Sequence, residues 1–472
     1  MKNIFSKIVL ITLFGMSIAL TSCEKYLSIV PKGEKIPTTL QDFEALLRDE
    51  YGCQVTDITQ ANNLLNDVYV SSSTLSYYPL YGANYNWDET ADRIKLNNSD
   101  ENTYYNTYAA ISSCNLIIEN APSATEATEA QKNEVIAYAK VIRSMCYFVL
   151  VNFYADTYEA ATAQTKLGVP LITSANVGAS YEQVTIQKNY DFIISNVKEV
   201  IDAGYLPEQG MTILHPSLGA AYAFLARVYL QMGIYTEALN YANKALEKND
   251  KLYDWTAYYD AHKSQIENPS SYVKTSSPFG FDYVENYNYR HGPTSNYSSE
   301  KNIRVDRASR FEAGDARIAA RWKVYTLGAN TYYRSTTTGY YNFGGMTTVE
   351  VYLIKAECLA RAGQYSAAMD VLNAVRKTRI LASSYVDLTA TTEKQAIEYI
   401  RRTKDNELIE SIIPFADSRR FNKEGTYART LNKVEGGVSL TLTPTSHLWT
   451  MPFPMGAIKN PGSGTITQNV VR

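Results

Sequence analysis

Two segments of the sequence match each other, and this match constrains the fold more than any other feature. The first, AYAFLARVYLQMGIYTEALNYANKAL, spans 221–246, and the second, VYLIKAECLARAGQYSAAMDVLNAVR, spans 351–376. The second segment begins 130 residues after the first, and the positions that agree are small or aromatic: Tyr222 with Tyr352, Ala226 with Ala356, Gly233 with Gly363, Tyr235 with Tyr365, and Ala238 with Ala368.

This pattern is typical of two helices joined by a tight turn. The glycine ends the first helix, and the small alanines let the paired helices approach closely, as in a tetratricopeptide repeat. One such unit cannot bury its apolar face alone, so roughly three or more must stack. Further helical patterns lie at 129–155, 183–203 and 393–411. We therefore predict a predominantly all-α protein with a tetratricopeptide-like scaffold of about four helix pairs, at roughly 100–250 and 348–420.

Two stretches do not follow the repeat pattern. Residues 50–99 and 250–345, approximately, are polar and rich in Tyr, Ser, Thr, Asn and Gly. Loops this long are uncommon in a compact domain and are usually functional. Because they are dense in aromatic residues, we expect packed irregular insertions that form a second, ligand-binding region. No low-complexity linker divides the chain, so we predict one domain, 23–472.

The composition indicates a globular protein with an unusual surplus of tyrosine. Hydrophobic residues make up 45% of the chain and the formal net charge is −3, which does not favour a nucleic-acid partner. The sequence has 39 Tyr against 24 Gly, although Gly is normally among the commonest residues. A tyrosine ring has a flat apolar face and a hydroxyl that donates and accepts, so it suits a core or a surface for polar ligands.

The first 22 residues are predicted to be a signal peptide. Lys2 and Lys7 precede the apolar run IVLITLFGMSIAL, which is too short for a membrane span, and the run is followed by Thr21, Ser22 and Cys23. Small residues before a cysteine resemble a bacterial lipobox, in which Cys23 becomes the lipid-bearing first residue. The alternative is an ordinary secretory signal with a nearby cysteine. We predict an exported protein that is anchored by acyl chains and not by a second membrane segment.

The four remaining cysteines do not suggest a metal or redox site. Cys53, Cys114, Cys146 and Cys358 form no CxxC pair. Cys146 and Cys358 lie in apolar helical patterns and are predicted to be buried free thiols. In an exported chain, Cys53 and Cys114 either pair as a disulfide or remain free, and the sequence leaves both possibilities open.

The order of several motifs resembles the SusD/RagB family of nutrient-binding outer-membrane lipoproteins of the Bacteroidetes. Each motif is weak alone, but their order and spacing over nearly the whole chain are specific. They are SCEKYL (22–27), YAAISSCNLII (108–118), IRSMCYFVLVNFY (142–154), GVPLI (168–172), TIQKNYDFIISNVKEVIDAGYLP (185–207), the two repeat segments with Asp315-Ala316-Arg317 between them, and LWTMPFPMGAIKNPGSGTITQN (448–469). The segment ELIESIIPFADSRRF keeps Glu410, Asp417, Arg419 and Arg420 but lacks a Gly and an Arg that many members carry, which affects the choice of subfamily.

The resemblance implies a cell-surface receptor. Members of the family bind an oligosaccharide, or in some cases peptides, and lie as a lid on a SusC-like TonB-dependent transporter in the outer membrane. They carry out no chemistry themselves. The sequence agrees, since it contains no P-loop, GxGxxG, HExxH or EF-hand motif, and its four His are scattered. We therefore expect no enzyme activity, no cofactor and no metal, and we interpret Ser217 as a helix N-cap.

Two aromatic segments are the predicted ligand site. A pyranose presents a face of C–H groups to a flat ring and a rim of hydroxyls to polar side chains. The segment SYYPLYGANYNW (76–87) and the segment FDYVENYNYRHGPTSNY (281–297) supply such rings. The predicted site residues are Asp67, Tyr77, Tyr78, Tyr81, Tyr283, Tyr287, Tyr289 and Arg290. We expect Tyr85 and Trp87 to be mostly buried, and Tyr77, Tyr78 and Tyr81 to be displayed around Pro79.

Two other functions are compatible with the sequence. A peptide-binding lipoprotein of the same transport system would satisfy backbone amides in a groove. A repeat adaptor would bind only the transporter, with its loops as the protein interface.

Overall fold

The computed structural model describes residues 37–97, 102–268, 278–292, 300–336 and 339–470. The predicted signal peptide and Cys23 lie outside the described residues. Within these ranges, no helix combines the length and the apolar character that crossing a membrane requires.

The described chain consists mainly of helices. Its N-terminal part contains α1 (Leu40–Leu47), α2 (Thr59–Leu65), α3 (Ser72–Tyr77), α4 (Pro79–Tyr85) and α5 (Arg93–Leu96). The first long helices and a hairpin follow as α6 (Asn102–Asn120), α7 (Glu129–Tyr154), β1 (Leu167–Leu171), β2 (Glu182–Thr185), α8 (Ile186–Asp202), α9 (Leu218–Gln231) and α10 (Tyr235–Lys248).

The second half mixes short elements with further long helices. The middle segment contains α11 (Trp255–Ile266), β3 (Asn286–Asn288), α12 (Val305–Ala308), α13 (Ala316–Arg321), β4 (Trp322–Leu327), β5 (Asn330–Ser335) and β6 (Met346–Thr347). The C-terminal segment contains α14 (Thr348–Arg361), α15 (Tyr365–Lys377), α16 (Glu393–Glu407), α17 (Ile413–Asn422), β7 (Leu431–Glu435), β8 (Val438–Leu442) and α18 (Met455–Lys459). In the described ranges the strands form two-stranded antiparallel sheets: β1–β2, β3–β6, β4–β5 and β7–β8. The predicted all-α character is confirmed.

The two matching sequence segments fold into equivalent helix pairs, α9–α10 and α14–α15. Gly233 and Gly363 follow the first helix of each pair with φ of 73° and 76°, a left-handed conformation that glycine adopts without a steric penalty. The next N–H reaches back to the helix in both pairs, from Ile234 to the Tyr229 carbonyl and from Gln364 to the Leu359 carbonyl, each at 2.9 Å. The sequence match therefore reflects a repeated helix end with the same hydrogen bonds.

The helix pairs stack into a continuous scaffold. Helix α6 packs on α7, α7 on α8, α10 on α14, and α14 on α16. The small residues predicted to allow close approach are fully buried: Ala226 and Ala238 in one pair, Ala356 and Ala368 in the other. Apolar side chains of α14, α15 and α16 form one cluster, and those of α1 and α6 to α10 form a larger one. This scaffold provides the surface over which the remaining segments lie.

Buried ion pairs attach the middle segment to the scaffold. Arg379, just after α15, contacts Glu285 at 2.7 Å and Glu407 of α16 at 3.0 Å. Arg227 of α9 pairs with Glu350 of α14 at 2.7 Å and also donates to the carbonyl of Gly345 in the middle segment at 3.0 Å. Removing one member of such a pair leaves the other charge buried without compensation, so these contacts define where the segment can lie.

Glu410 lies at another of these attachment points. It is buried between α16 and α17 and accepts a hydrogen bond of 2.7 Å from the Lys301 N–H. Burial, together with the neighbouring Glu300, which pairs with Arg321, raises the pKa of Glu410 to about 8, while Lys301 opposes the shift. The folded protein therefore retains a proton on Glu410 at pH values at which the unfolded chain has lost it.

This proton predicts a pH-dependent difference between the wild type and Glu410→Gln. The folded pKa is raised, so the stability contribution of the protonated carboxyl is complete below about pH 4.5 and is lost as the pH rises through about 8. The free energy of unfolding of Glu410→Gln relative to wild type should increase across this window, by up to about 1.4 kcal/mol per pH unit. Urea unfolding of both proteins at several pH values measures this difference. A difference in unfolding free energy that stays the same at every pH would contradict the prediction.

Candidate functional site

A break between two short helices displays three tyrosines. Ser71 caps α3, since its hydroxyl accepts from the Thr74 N–H at 3.2 Å, and Pro79 occupies the first turn of α4, where no N–H is required. Tyr78 lies between the helices with φ of −113° and ψ of 89°, outside the helical range. SYYPLYGANYNW is thus two helices with a bend, and the bend turns Tyr77, Tyr78 and Tyr81 toward one another.

These three residues, which we name the tyrosine cluster, form a continuous aromatic surface. The rings of Tyr78 and Tyr81 stack with centroids 4.8 Å apart and planes inclined by 28°, and Tyr77 meets Tyr78 edge to face at 4.7 Å and 79°. Tyr77 is 75% exposed, whereas Tyr78 and Tyr81 are half-buried. Offset-stacked and edge-to-face rings hold each other in place, so the surface is formed before any ligand binds.

Buried residues at the other end of α4 hold the tyrosine cluster in position. Tyr85 and Trp87 are 1% and 6% exposed, as the sequence predicts. The Trp87 indole N–H donates to the Leu64 carbonyl at 2.6 Å, and the Lys433 ammonium lies 4.2 Å from the Tyr85 ring centroid and 4.9 Å from that of Trp87. Burial lowers the pKa of Lys433 to about 8.

A second aromatic group lies at the opposite end of α3. Tyr69 stacks on Tyr332 of β5 with centroids 4.1 Å apart and an interplanar angle of 8°, and Tyr325 of β4 packs against Tyr332 at 5.6 Å. The Arg334 guanidinium lies 5.3 Å from the Tyr325 ring centroid. We name Tyr69, Tyr325 and Tyr332 the hairpin stack. Tyr325 and Tyr332 are absent from the predicted site, although the aromatic and β-branched residues of WKVYTL and NTYYRS, separated by Gly328 and Ala329, indicate a tyrosine-bearing β-hairpin.

Backbone contacts fix the hairpin stack relative to the tyrosine cluster. Ile303 bridges Val68 on one side and Tyr333 on the other, and the Tyr69 N–H donates to the Asn302 carbonyl at 2.8 Å. Helix α3, which has six residues and is about 9 Å long, lies between Tyr69 and Tyr78 and ends at Tyr77 of the tyrosine cluster. The two groups therefore lie at the two ends of one short helix.

Asp67 is buried below this surface and belongs to its support. Asp67 is 4% exposed. Its carboxylate contacts the Arg307 guanidinium at 2.7 Å and the Arg310 guanidinium at 3.5 Å. Arg307 also donates to the Asn406 side chain and the Asp405 carbonyl, both at 2.8 Å. One guanidinium thus joins the segment before α3, helix α12 and the end of α16.

The structure buries the other four predicted residues, Tyr283, Tyr287, Tyr289 and Arg290. Tyr289 donates to the Tyr341 carbonyl at 2.9 Å, and Arg290 donates to the Thr56 hydroxyl and the Val55 carbonyl, each at 3.1 Å. Tyr283 and Tyr287 line the edge of a separate cavity of about 410 Å³. Because their polar atoms contact neighbouring protein groups, we do not include these four residues in the proposed surface.

The site offers contact surfaces and hydrogen-bonding groups. In the described part of the chain, no group of three or more His, Cys, Asp or Glu is arranged to hold a metal ion. The chemistry that the two aromatic groups provide is stacking on ring faces and hydrogen bonding through phenolic hydroxyls.

Comparison with known proteins relates this architecture to one family. Residues 25–230 match the SusD-like family model described as starch-binding and associating with the outer membrane. No curated protein matches the sequence at a significant level.

Solved structures share the fold over nearly the whole chain. A SusD superfamily protein from Bacteroides thetaiotaomicron is 17% identical with a TM-score of 0.68, and the match covers 92% of this chain and 100% of that one. A SusD-like carbohydrate-binding protein from Bacteroides vulgatus is also 17% identical, with a TM-score of 0.63 and coverage of 92% and 100%. The surface glycan-binding protein A from Bacteroides uniformis is 15% identical, with a TM-score of 0.63 and coverage of 91% and 98%.

The pairing of Asp67 with Arg307 predicts that alanine substitution destabilises the protein much more at Asp67 than at Asp306. Asp67→Ala leaves a buried guanidinium without its carboxylate and should lower the free energy of unfolding by about 3–5 kcal/mol. The matched control is Asp306→Ala, because the Asp306 side chain is 43% exposed and its partner Arg304 keeps Glu435 as a second carboxylate. An ion pair with an exposed carboxylate contributes about 1 kcal/mol or less. Chemical denaturation of both variants measures the difference, and equal losses would contradict the supporting role of Asp67.

Proposed function

Because residues 25–230 match a SusD-like family model and the fold is shared with SusD-like structures, we propose that the chain is a cell-surface lipoprotein that captures oligosaccharides and delivers them to a TonB-dependent outer-membrane transporter. The observation that carries the proposal is the exposed tyrosine cluster, with the hairpin stack at the other end of α3. The proposed binding residues are Tyr77, Tyr78 and Tyr81, joined by Tyr69 and Tyr325 of the hairpin stack. Tyr332 is only 8% exposed and supports these two rings by packing against both.

The chemistry of this surface suits a sugar. The apolar C–H face of a pyranose packs on a tyrosine ring, and the phenolic hydroxyls and the nearby Arg334 reach the hydroxyl rim. Tyrosine has few rotatable bonds, and Tyr78 and Tyr81 are already packed against each other, so little conformational entropy is lost on binding. Two aromatic groups at the two ends of α3, a helix about 9 Å long, favour an oligosaccharide over a single sugar.

The family and the fold support the same ligand class. The matched family model is described as starch-binding and outer-membrane associated, and two of the similar structures are a carbohydrate-binding and a surface glycan-binding protein. In our proposal Cys23 carries the lipid anchor, a SusC-like protein is the transporter, and the chain binds its ligand without catalysing a reaction.

Replacing the tyrosine cluster should abolish most glycan binding. The soluble chain, residues 24–472, is first screened on glycan arrays and polysaccharide affinity gels. The triple variant Tyr77→Ala, Tyr78→Ala, Tyr81→Ala should then weaken binding about tenfold or more, because it removes the stacking face. The matched control is Tyr205→Ala, since Tyr205 is 42% exposed but lies between α8 and α9. Unchanged affinity of the triple variant would contradict the proposed surface.

The same screen separates glycan capture from the two alternatives. Peptide pools are tested beside the glycans, and a pull-down with the transporter is carried out with the same protein. Binding of peptides alone would favour the peptide receptor. No binding to any glycan, together with an intact transporter complex, would favour the adaptor. Release of reducing sugar from the bound glycan would contradict binding without catalysis.

The lipid anchor predicts where a cysteine variant is found. Cys23→Ala should move the protein from the membrane fraction to the soluble fraction, because the acyl chains are the proposed anchor. Immunoblots of both fractions measure the distribution, with a Cys146→Ala variant as the control. Retention of Cys23→Ala in the membrane fraction would contradict lipidation at this residue.

A further inference from the structure

We propose that Cys53 and Cys114 form a disulfide in the exported protein and thereby join the base of the segment carrying the tyrosine cluster to scaffold helix α6. The two Sγ atoms lie 3.8 Å apart, and both residues are fully buried. The proposal rests on the export that the proposed function includes and does not depend on the identity of the ligand.

The local structure allows the bond to form with a small movement. An S–S bond is about 2.05 Å long, so the sulfurs must approach by about 1.8 Å from their present separation. Cys114 lies in the middle of α6, whereas Cys53 lies in a turn closed by hydrogen bonds from the Gly52 and Gln54 N–H groups to the Asp49 carbonyl. The turn can absorb the adjustment, because its residues are not part of a helix.

The other two cysteines have different surroundings. The sulfur of Cys146 lies 3.4 Å from the guanidinium of the buried Arg290. Cys358 lies on α14, in a different part of the scaffold. In the described residues, no third ligand accompanies Cys53 and Cys114 to form a metal site. The pair is therefore best explained as a cross-link.

The bond must form before the two thiols are buried. Burial and the adjacent Cys53 thiol raise the pKa of the Cys114 thiol, so the reactive thiolate seldom forms in the folded protein. Because both cysteines are fully buried, an oxidant also has little access to them. During folding, the thiolate of one cysteine attacks an oxidant disulfide, X–S–S–X, and releases one X–SH. The second thiolate then displaces the remaining X–SH, so two thiols are oxidised and one disulfide is reduced.

The cross-link would close a segment that contains the whole tyrosine cluster. Asp67, Tyr69 and helices α2 to α5 all lie between Cys53 and Cys114. Closing this segment restricts the unfolded chain and keeps the segment close to α6 during partial unfolding. We therefore expect the protein with the disulfide to melt at a higher temperature than the protein without it. Ligand binding at room temperature should not require the bond.

The test uses oxidative refolding of the soluble chain without Cys23. Residues 24–472 are unfolded under reducing conditions, refolded with oxidised and reduced glutathione, denatured again without reductant and alkylated with iodoacetamide. Trypsin places the four cysteines in separate peptides, 49–93, 96–132, 144–166 and 356–361. We expect peptides 49–93 and 96–132 to be cross-linked and two hydrogens lighter, while Cys146 and Cys358 are alkylated.

Matched variants distinguish the cross-link from non-specific oxidation. Cys53→Ser should make Cys114 available for alkylation, Cys146→Ser should leave the cross-link intact, and the double variant Cys53→Ser, Cys114→Ser should melt a few degrees below the oxidised wild type. Alkylation of all four cysteines in the wild type, or a cross-link that includes Cys146, would overturn the proposal. Glycan affinity is measured separately, so failure of the disulfide and failure of the proposed function are distinguishable.

Discussion

The buried contact between Arg307 and Asp67 is the constraint on which the proposed binding surface depends. Its Nε–Oδ1 distance is 2.7 Å, and Arg307 also bonds Asn406 and the Asp405 carbonyl at the end of α16. A guanidinium carries its donors in a rigid planar fork, so it fixes the mutual orientation of the groups it contacts. Segment 66–70, α12 and the scaffold consequently have one relative arrangement, and α3 projects from it with an aromatic group at each end.

Similar buried ion pairs occur within the middle segment and between that segment and the helices. Arg379 holds Glu285 and Glu407, Arg321 holds Glu300, and Arg317 bonds both Asp315 and Glu407. Burying a charge is costly, and the attraction of a well-placed partner offsets this cost only in one geometry. A long segment with little regular structure can therefore have a defined position, which a surface of displayed rings requires.

Much of the scaffold was predictable because helical sequences carry their signal locally. The pattern at 129–155 is helix Glu129–Tyr154, that at 183–203 is Ile186–Asp202, and that at 393–411 is Glu393–Glu407. The resemblance to the SusD family is confirmed by the match over residues 25–230 and by the shared fold. The helix ends at Gly233 and Gly363 were predictable because a left-handed backbone conformation at a helix end favours glycine.

The binding surface was only partly predictable, because tyrosine is equally suited to a core and a surface. Tyr77 and Tyr289 lie in similar tyrosine-rich sequences, yet one is exposed and the other fully buried. Likewise, Asp67 could be singled out in the sequence, but its partner Arg307 is 240 residues away. The stacking of Tyr69 on Tyr332 depends on the bridge through Ile303, a tertiary contact that no local pattern encodes.

The most direct test of the account is a crystal structure of residues 24–472 with an oligosaccharide selected by the glycan screen. We expect a pyranose ring stacked on Tyr78 or Tyr81, with Tyr77 at its edge. The rest of the oligosaccharide should extend toward the hairpin stack. A ligand bound elsewhere, such as in the cavity beside Tyr283 and Tyr287, with no contact to α3 or α4, would contradict it.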